Sequence, residues 1–300
     1  MRIGVDLGGT KIEAVVLGDD GQVVTRRRRR TPQESYADTL QAVVEIVQDL
    51  ESEIGERASV GLATPGARSP HTGLIKNANS TQLIGERLDE DLGDALDRQV
   101  RIANDANCFA LSESVDGAAQ GARVVFGVIL GTGVGGAIVV EGRVLAGRHA
   151  IAGEWGHNPL PWPRASELPG PRCYCGHYGC IETFLSGPGL SRDYQERPEE
   201  ALGVEEIVRL AQSGEQRADA CLARFEHRLA RGLAHVINIL DPDIIVLGGG
   251  LSGIARVYES VPRLWREFVF SDRVDTPLRP PVHGDASGVR GAAWLWPRGA

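Results

Sequence analysis

The 300-residue chain reads as an α/β protein made of two related domains facing each other across a cleft. One observation is an internal repeat: residues 3–16, from Ile3-Gly-Val-Asp-Leu-Gly-Gly-Thr onward, align without a gap to residues 126–139, from Phe126-Gly-Val-Ile-Leu-Gly-Thr-Gly. Gly4/Gly127, Val5/Val128, Leu7/Leu130, Gly8/Gly131 and Ala14/Ala137 are identical pairs. A second is that both copies share one grammar: apolar strand, Gly/Thr turn, second apolar strand, Gly-containing turn (Asp20-Gly21, Glu141-Gly142), third strand. A third is that helical and strand-like segments alternate after each copy.

In the first half, residues 33–53 have helical periodicity, and 58–63 form a short apolar strand ending at Thr64-Pro65-Gly66. Residues 88–96 read as a polar helix, 100–103 as a strand and 106–115 as a helix. In the second half, 204–212 and 216–240 read as helices, the latter long, amphipathic and stopped by Asp241-Pro242. A buried strand over 244–247 runs into Gly248-Gly249-Gly250, with a helix expected from about Leu251 and a last short helix over 289–296. The expected domains are 1–118, joined by a C-terminal segment 287–300, and 119–286.

Length gives ample core for such domains. Net charge is −8, so no general nucleic-acid footprint is present. The basic run Arg26 to Arg30 reads as a solvated edge strand, where charge blocks sheet-to-sheet pairing. No stretch approaches the ~18 apolar residues of a membrane span. Arg2 runs straight into a strand-like segment with no leader pattern, so a cytoplasmic location is expected.

That compartment bears on the cysteines, since disulfides rarely persist there. Cys173, Cys175 and Cys180 fall within eight residues, His157 lies upstream, and carboxylates Glu154 and Glu182 flank the set. Three thiolates and an imidazole are the complement of a closed tetrahedral zinc site. Such a site has no open position for chemistry, so the zinc is expected to be a structural staple that sets Glu154 and Glu182. His157 is expected to put one ring nitrogen on the metal and the other toward a ligand hydroxyl. Cys108 and Cys221 read as buried apolar thiols.

The duplicated loops, Asp6-Leu-Gly8-Gly9-Thr10-Lys11 and Gly131-Thr132-Gly133-Val134-Gly135-Gly136, suit a polyphosphate, because glycines expose backbone N–H groups and threonines add donors. A tight hairpin explains either loop alone; a facing pair favours a nucleotide clamp. Only the first carries a carboxylate, Asp6, as expected if it holds magnesium through water. Gly248-Gly249-Gly250 would let adenine or ribose lie on the backbone, although close packing explains it equally.

Asn104-Asp105-Ala106-Asn107 ends a strand and starts a helix, which suits a helix cap and also a ligand-facing carboxylate. The functional reading makes Asp105 the base that accepts a proton from a sugar hydroxyl attacking a γ-phosphorus. Asn79, Asn104, Glu154, His157 and Glu182 offer the donors and acceptors that a polyol needs. Paired Glu154 and Glu182 could instead serve glycoside hydrolysis; the glycine loops favour phosphoryl transfer.

On these motifs the chain resembles the ROK family (repressors, open reading frames and sugar kinases) of the sugar-kinase/heat-shock-70/actin superfamily, with ribonuclease-H-like domains. The motifs are Asp6-Leu-Gly-Gly-Thr-Lys11, Asn104-Asp105-Ala-Asn107, Leu130-Gly-Thr-Gly133, Gly153-Glu-Trp-Gly-His157 and Cys173-x-Cys175-Gly-x-x-Gly-Cys180-x-Glu182. The resemblance implies Asp105 as catalytic base and Asn79, Asn104, Asp105, Glu154, His157 and Glu182 as sugar contacts. It implies ATP binding by Gly4, Val5, Asp6, Leu7, Gly8, Gly9, Thr10 and Lys11, by Gly131 through Ile138 (with Gly131, Thr132, Gly133, Val134, Gly135, Gly136 and Ala137), and by Gly249 and Gly250. Zinc would sit on His157, Cys173, Cys175 and Cys180, and magnesium would accompany ATP.

Within the family, residues 76–81, 103–108, 154–162 and 288–296 look most like bacterial fructokinases that also accept mannose, with N-acetylglucosamine kinases and glucokinases as alternatives. The expected reaction is transfer of the γ-phosphate to the 6-hydroxyl of a hexose, foremost fructose. A homodimer is a family expectation, and neither nucleic acid nor membrane is an expected partner. A sugar-sensing ROK repressor is the non-enzyme alternative; it needs a DNA-binding domain ahead of the first loop, which here begins at residue 4.

Overall fold

The computed structural model describes residues 1–195 and 202–298. The remaining parts of the expected segments 119–286 and 287–300, namely 196–201 and 299–300, lie outside the described residues. The chain forms two compact units, Met1–Gly121 with Ile138–Ala152 and Val282–Ala300, and Ala122–Ala137 with Gly153–Pro281. The division thus falls at 121/122 where 118/119 was expected, and it runs through a strand of the second repeat.

In the first unit, β1 (Arg2–Leu7) sits at the centre of a five-stranded sheet, antiparallel to β2 (Lys11–Leu17) and parallel to β4 (Ser59–Thr64). β3 (Val23–Arg30) and β7 (Val100–Asn104) are its edges. The basic run therefore lies on an edge strand, and Arg26 to Arg29 are paired: Arg26 and Arg28 to Glu13 (Arg28 Nε at 2.9 Å), Arg29 to Glu45 and Asp49, and Arg27 to Glu53. Three of those carboxylates are on α1 (Tyr36–Ile54), whose N-cap Ser35 accepts from the Asp38 N–H at 3.2 Å and whose C-cap Gly55 is left-handed, φ 72°. Its Val43, Ile46, Val47 and Leu50 are fully buried against the sheet. A short pair, β5 (Ala67–Arg68) and β6 (Ile75–Lys76), and α2 (Leu88–Leu96) lead to β7 and then directly to α3 (Asp105–Asp116).

The second repeat supplies β8 (Val124–Leu130) in the second unit and β9 (Val134–Val140), which the division cuts, but its third strand is only β10 (Arg143–Val144), assigned to the first unit. That is far shorter than its counterpart β3. Helices α4 (Ile181–Leu185), α5 (Gly187–Tyr194), α6 (Val204–Gln212) and α7 (Gln216–Leu240) follow. α7 buries Cys221, Leu222, Phe225, Leu229, Leu233 and Ile237 and ends at left-handed Asp241. β11 (Ile244–Gly248) pairs in parallel with β8. The helix expected from Leu251 is instead a 3-10 turn, Gly250–Gly253, because Gly249 is left-handed at φ 77°; α8 starts only at Val257 and runs to Leu264, before β12 (Leu278–Arg279).

Buried Glu167 anchors the long segment between residues 153 and 180 to α7, accepting from Arg228 Nε at 2.9 Å and from Arg231 Nη2 at 2.8 Å. Burial alone would raise its pKa, but the arginines outweigh it and bring it down to about 2.

The C-terminal helix α9 (Ser287–Trp294) belongs to the first unit. A Cβ on Gly4 would stand 2.0 Å from the Val289 carbonyl oxygen, and one on Gly291 would stand 1.7 Å from the Cys108 carbonyl oxygen. Only glycine permits such backbone contact. Two acids of α3 hold the segment leading into α9: Glu113 accepts from Val282 N–H at 3.0 Å and Ser287 Oγ at 2.8 Å, and Asp116 from Trp294 Nε1 at 3.1 Å.

Candidate functional site

The expected site residues form two groups, one in each unit. In the first, Asn104 caps α3, its Oδ1 accepting the Asn107 N–H at 2.7 Å, so that oxygen is committed to the helix and its amide nitrogen is the donor left for a ligand. Asp105 is the first residue of the helix, with Oδ1 on the Ala106 N–H at 2.8 Å. Protein atoms crowd this carboxyl although water still reaches it; desolvation raises its pKa, and the backbone donors pull against the rise. Asp6, at the end of β1, is raised to about 6, first by burial, then by the Asp105 and Glu13 charges, while Lys11 opposes. The Asp105 charge thus bears directly on Asp6.

The first glycine loop is braced from behind. Thr31 Oγ1 donates to the Gly8 carbonyl at 2.7 Å, the Thr31 N–H to the Thr10 carbonyl at 3.1 Å, and Gln33 Nε2 to the Gly9 carbonyl at 2.8 Å. Neither Thr31 nor Gln33 was expected from the sequence; their only signal is Thr-Pro-Gln directly after the basic strand. Gly9 faces Ser80 Oγ, which puts the exposed Asn79 beside this loop. Of the residues expected at the nucleotide, Val5 and Leu7 are core side chains, and Gly4 makes room for α9.

In the second unit, the Val134 N–H donates to Glu182 Oε2 at 2.9 Å, and Trp155 Nε1 to the Gly135 carbonyl at 3.1 Å. The Gly131 carbonyl accepts from the Gly187 N–H at 2.8 Å. A Cβ on Gly133 would come within 2.7 Å of Glu182 Oε2, so that glycine is what admits the carboxylate. Glu182, expected as a sugar contact, therefore has one oxygen committed to the second loop. Ala137 is wholly buried, and Ala137 and Ile138 lie within β9. Gly249 presses on the Leu130 carbonyl, where a Cβ would be 2.4 Å away, which is the close-packing explanation; Gly250 has open space.

The ligand atoms of His157, Cys173, Cys175 and Cys180 all lie within 4.8 Å of one another. His157 Nδ1 is 3.5 Å from Cys173 Sγ, and Cys175 Sγ is 3.6 Å from Cys180 Sγ. Tetrahedral zinc with bonds of about 2.0–2.3 Å has ligand–ligand edges of roughly 3.5–3.8 Å, so the donor set fits that ion. Burial and the neighbouring thiols push Cys180 up to about 12, whereas Cys175 is lowered, first by the His177 backbone N–H. Cys180 directly precedes α4, the helix that carries Glu182. His157 Nε2 is 2.9 Å from the Tyr174 hydroxyl, so the hydroxyl it meets is the protein's own. Glu154 is exposed. Cys108 and Cys221 are fully buried, as expected.

The model of the ROK family matches residues 2–299. The chain belongs to the ROK family. It is 39% identical over 299 residues to the N-acetyl-D-glucosamine kinase of Pectobacterium atrosepticum, covering 98% of each chain. It is 41% identical over 300 residues to that of Escherichia coli O6:H1, covering 98% of this chain and 99% of the relative. The kinship to fructokinases expected from the sequence finds no support in these relatives, which are named N-acetyl-D-glucosamine kinase. The fold matches the ROK hexokinase from Thermus thermophilus (TM-score 0.85, 33% identity, 98% of this chain and 96% of that one). It also matches a ROK family glucokinase from Streptomyces griseus solved with glucose and AMPPNP (TM-score 0.79, 26% identity, 99% of each). This ROK chain therefore has the expected α/β sugar-kinase fold. Among its described residues no helix is long and apolar enough to cross a membrane.

Proposed function

We propose that this ROK protein is an ATP-dependent sugar kinase and that its acceptor is N-acetylglucosamine, phosphorylated on the 6-hydroxyl. The observation that supports the chemistry is Asp105: a carboxyl with a raised pKa at the start of α3, electrostatically coupled to Asp6 beside a braced glycine loop. The choice of sugar follows the full-length relatives named N-acetyl-D-glucosamine kinase. Fructose, the acceptor expected from sequence, is the comparison arm of the test.

Asp105 takes the proton of the attacking hydroxyl as its oxygen bonds to the γ-phosphorus and the bond to the ADP oxygen breaks. Backbone N–H groups of the two glycine loops bind the phosphate oxygens. Magnesium, when bound, neutralises phosphate charge, and Asp6 is the carboxylate that would hold it through water. Asn79, the Asn104 amide, Glu154 and the uncommitted oxygen of Glu182 contact the sugar, and open space at Gly250 receives the nucleoside; His157, expected as a sugar contact, has Nε2 held by Tyr174 instead. His157, Cys173, Cys175 and Cys180 would hold zinc, which supplies cross-linking rather than reactivity. A cytoplasmic homodimer completes the reading.

Coupled ADP-release kinetics with N-acetylglucosamine, fructose, mannose and glucose test it. N-acetylglucosamine should give the highest kcat/KM. ADP release independent of every sugar would sink the kinase reading, and a preference for fructose would return the sequence-based acceptor.

A further inference from the structure

We propose that Tyr174 is a specificity residue, its phenol donating a hydrogen bond to an acceptor-only oxygen of the sugar, namely the carbonyl of an acetamido group. The inference rests on the kinase reading above and deepens it. Tyr174 lies between two of the clustered cysteines and is 83% exposed, so its ring fills no core. Its hydroxyl is nevertheless held, 2.9 Å from His157 Nε2, with the two rings edge-to-face and centroids 5.0 Å apart.

The direction of that hydrogen bond follows from the other ring nitrogen. His157 Nδ1 is the one turned to Cys173 Sγ, in the cluster whose geometry suits a metal. An imidazole that gives its Nδ1 lone pair to a metal carries its proton on Nε2. Nε2–H then donates to the phenolic oxygen, and the hydrogen of Tyr174 is left to point elsewhere.

What it can point at is set by the neighbours. Glu182 and Glu154 are close enough for their charges to act on the phenol. Ionised carboxylates only accept hydrogen bonds, so they suit hydroxyls, which can donate. An acetamido carbonyl has no proton to offer them and needs a donor. Tyr174 supplies one, oriented by His157. A hexose with a plain hydroxyl at that carbon can donate to a carboxylate and depends on Tyr174 far less.

The test is Tyr174→Phe, which keeps the ring and removes the hydroxyl. Calorimetry on zinc-loaded protein without nucleotide would follow N-acetylglucosamine and glucose separately, alongside metal content. The variant should bind N-acetylglucosamine about 5- to 100-fold more weakly, the cost of an unpaired acceptor. Its glucose affinity should change less than about twofold, with zinc retained. Unchanged affinity for both sugars overturns the inference, as does equal weakening of both with loss of zinc. So does wild-type protein that binds glucose but not N-acetylglucosamine. Wild-type protein that binds neither sugar overturns the kinase reading itself, a result seen without the variant.

Discussion

Glu182 Oε2 accepts the backbone N–H of Val134 at 2.9 Å, which ties α4, the helix that follows Cys180, to the second glycine loop. The segment that carries three of the four residues of the thiol–imidazole cluster thereby also braces the second glycine loop, to which the proposed function assigns the nucleotide.

Removing that tie should be felt at the nucleotide. A charge-assisted hydrogen bond contributes about 1.5–3 kcal/mol, so Glu182→Ala should raise KM for ATP roughly 10- to 100-fold, with KM for sugar also raised. Glu182→Gln keeps an acceptor oxygen and should lose less at ATP. Steady-state kinetics with each substrate varied in turn would check it; an unchanged ATP KM in Glu182→Ala removes the bracing role.

Asp105→Ala should lower kcat by about 10²–10⁴-fold, the usual share of a general base, while circular dichroism and metal content stay as in wild type. Because desolvation raises its pKa, wild-type kcat/KM should climb with pH through the acid range as the carboxyl ionises. A flat profile there, or near-normal turnover in the variant, would contradict the assignment.

Asp6 is a carboxyl whose ionised form the fold disfavours. Its pKa rises from the ordinary 3.8 to about 6, and the folded state therefore favours the protonated form. That contribution is present below pH 4 and is lost as pH rises through 6, a difference of about 3 kcal/mol. Asp6→Asn should melt higher than wild type at pH 7.5, with the gap closing toward pH 4, and should be much less active. Thermal melts across pH would decide; equal or lower stability of Asp6→Asn at pH 7.5 counts against the coupled pair.

Metal analysis should find about one zinc per chain, and stripping it with a strong chelator should expose the segment 153–180 to proteolysis. Cys180→Ser should mimic the stripped state. A metal-free sample that is equally protease-resistant would refute the staple.

Gly4→Ala forces a Cβ to within 2.0 Å of the Val289 carbonyl oxygen. Overpacking against backbone costs about 1–3 kcal/mol or more, so its melting temperature should fall by several degrees, whatever the nucleotide concentration. A loss of ATP affinity without loss of stability would return Gly4 to the phosphate loop.

Much of the fold was legible because it is local. α6 and α7 have the bounds that periodicity predicted, since amphipathic faces and the Asp241-Pro242 stop are written within a few turns of chain. The start of α8 was missed because the glycines after β11 open a 3-10 turn instead of an α-helix, and left-handed Gly249 packs against Leu130, over a hundred residues earlier. The repeat pattern carries no strand length, and the third strand of its second copy is only Arg143–Val144.

The sequence by itself determined the donor sets: three thiols and an imidazole at metal spacing, two glycine loops, and one carboxylate at a strand-to-helix junction. Tertiary structure decided how those donors are used. It commits the Asn104 oxygen to a helix cap, a Glu182 oxygen to Val134, and His157 Nε2 to Tyr174, and it turns Gly4 toward a helix near the other end of the chain. Residue type and spacing say which hydrogen bonds a side chain can make; which it does make depends on partners brought close by folding, at separations no local period encodes.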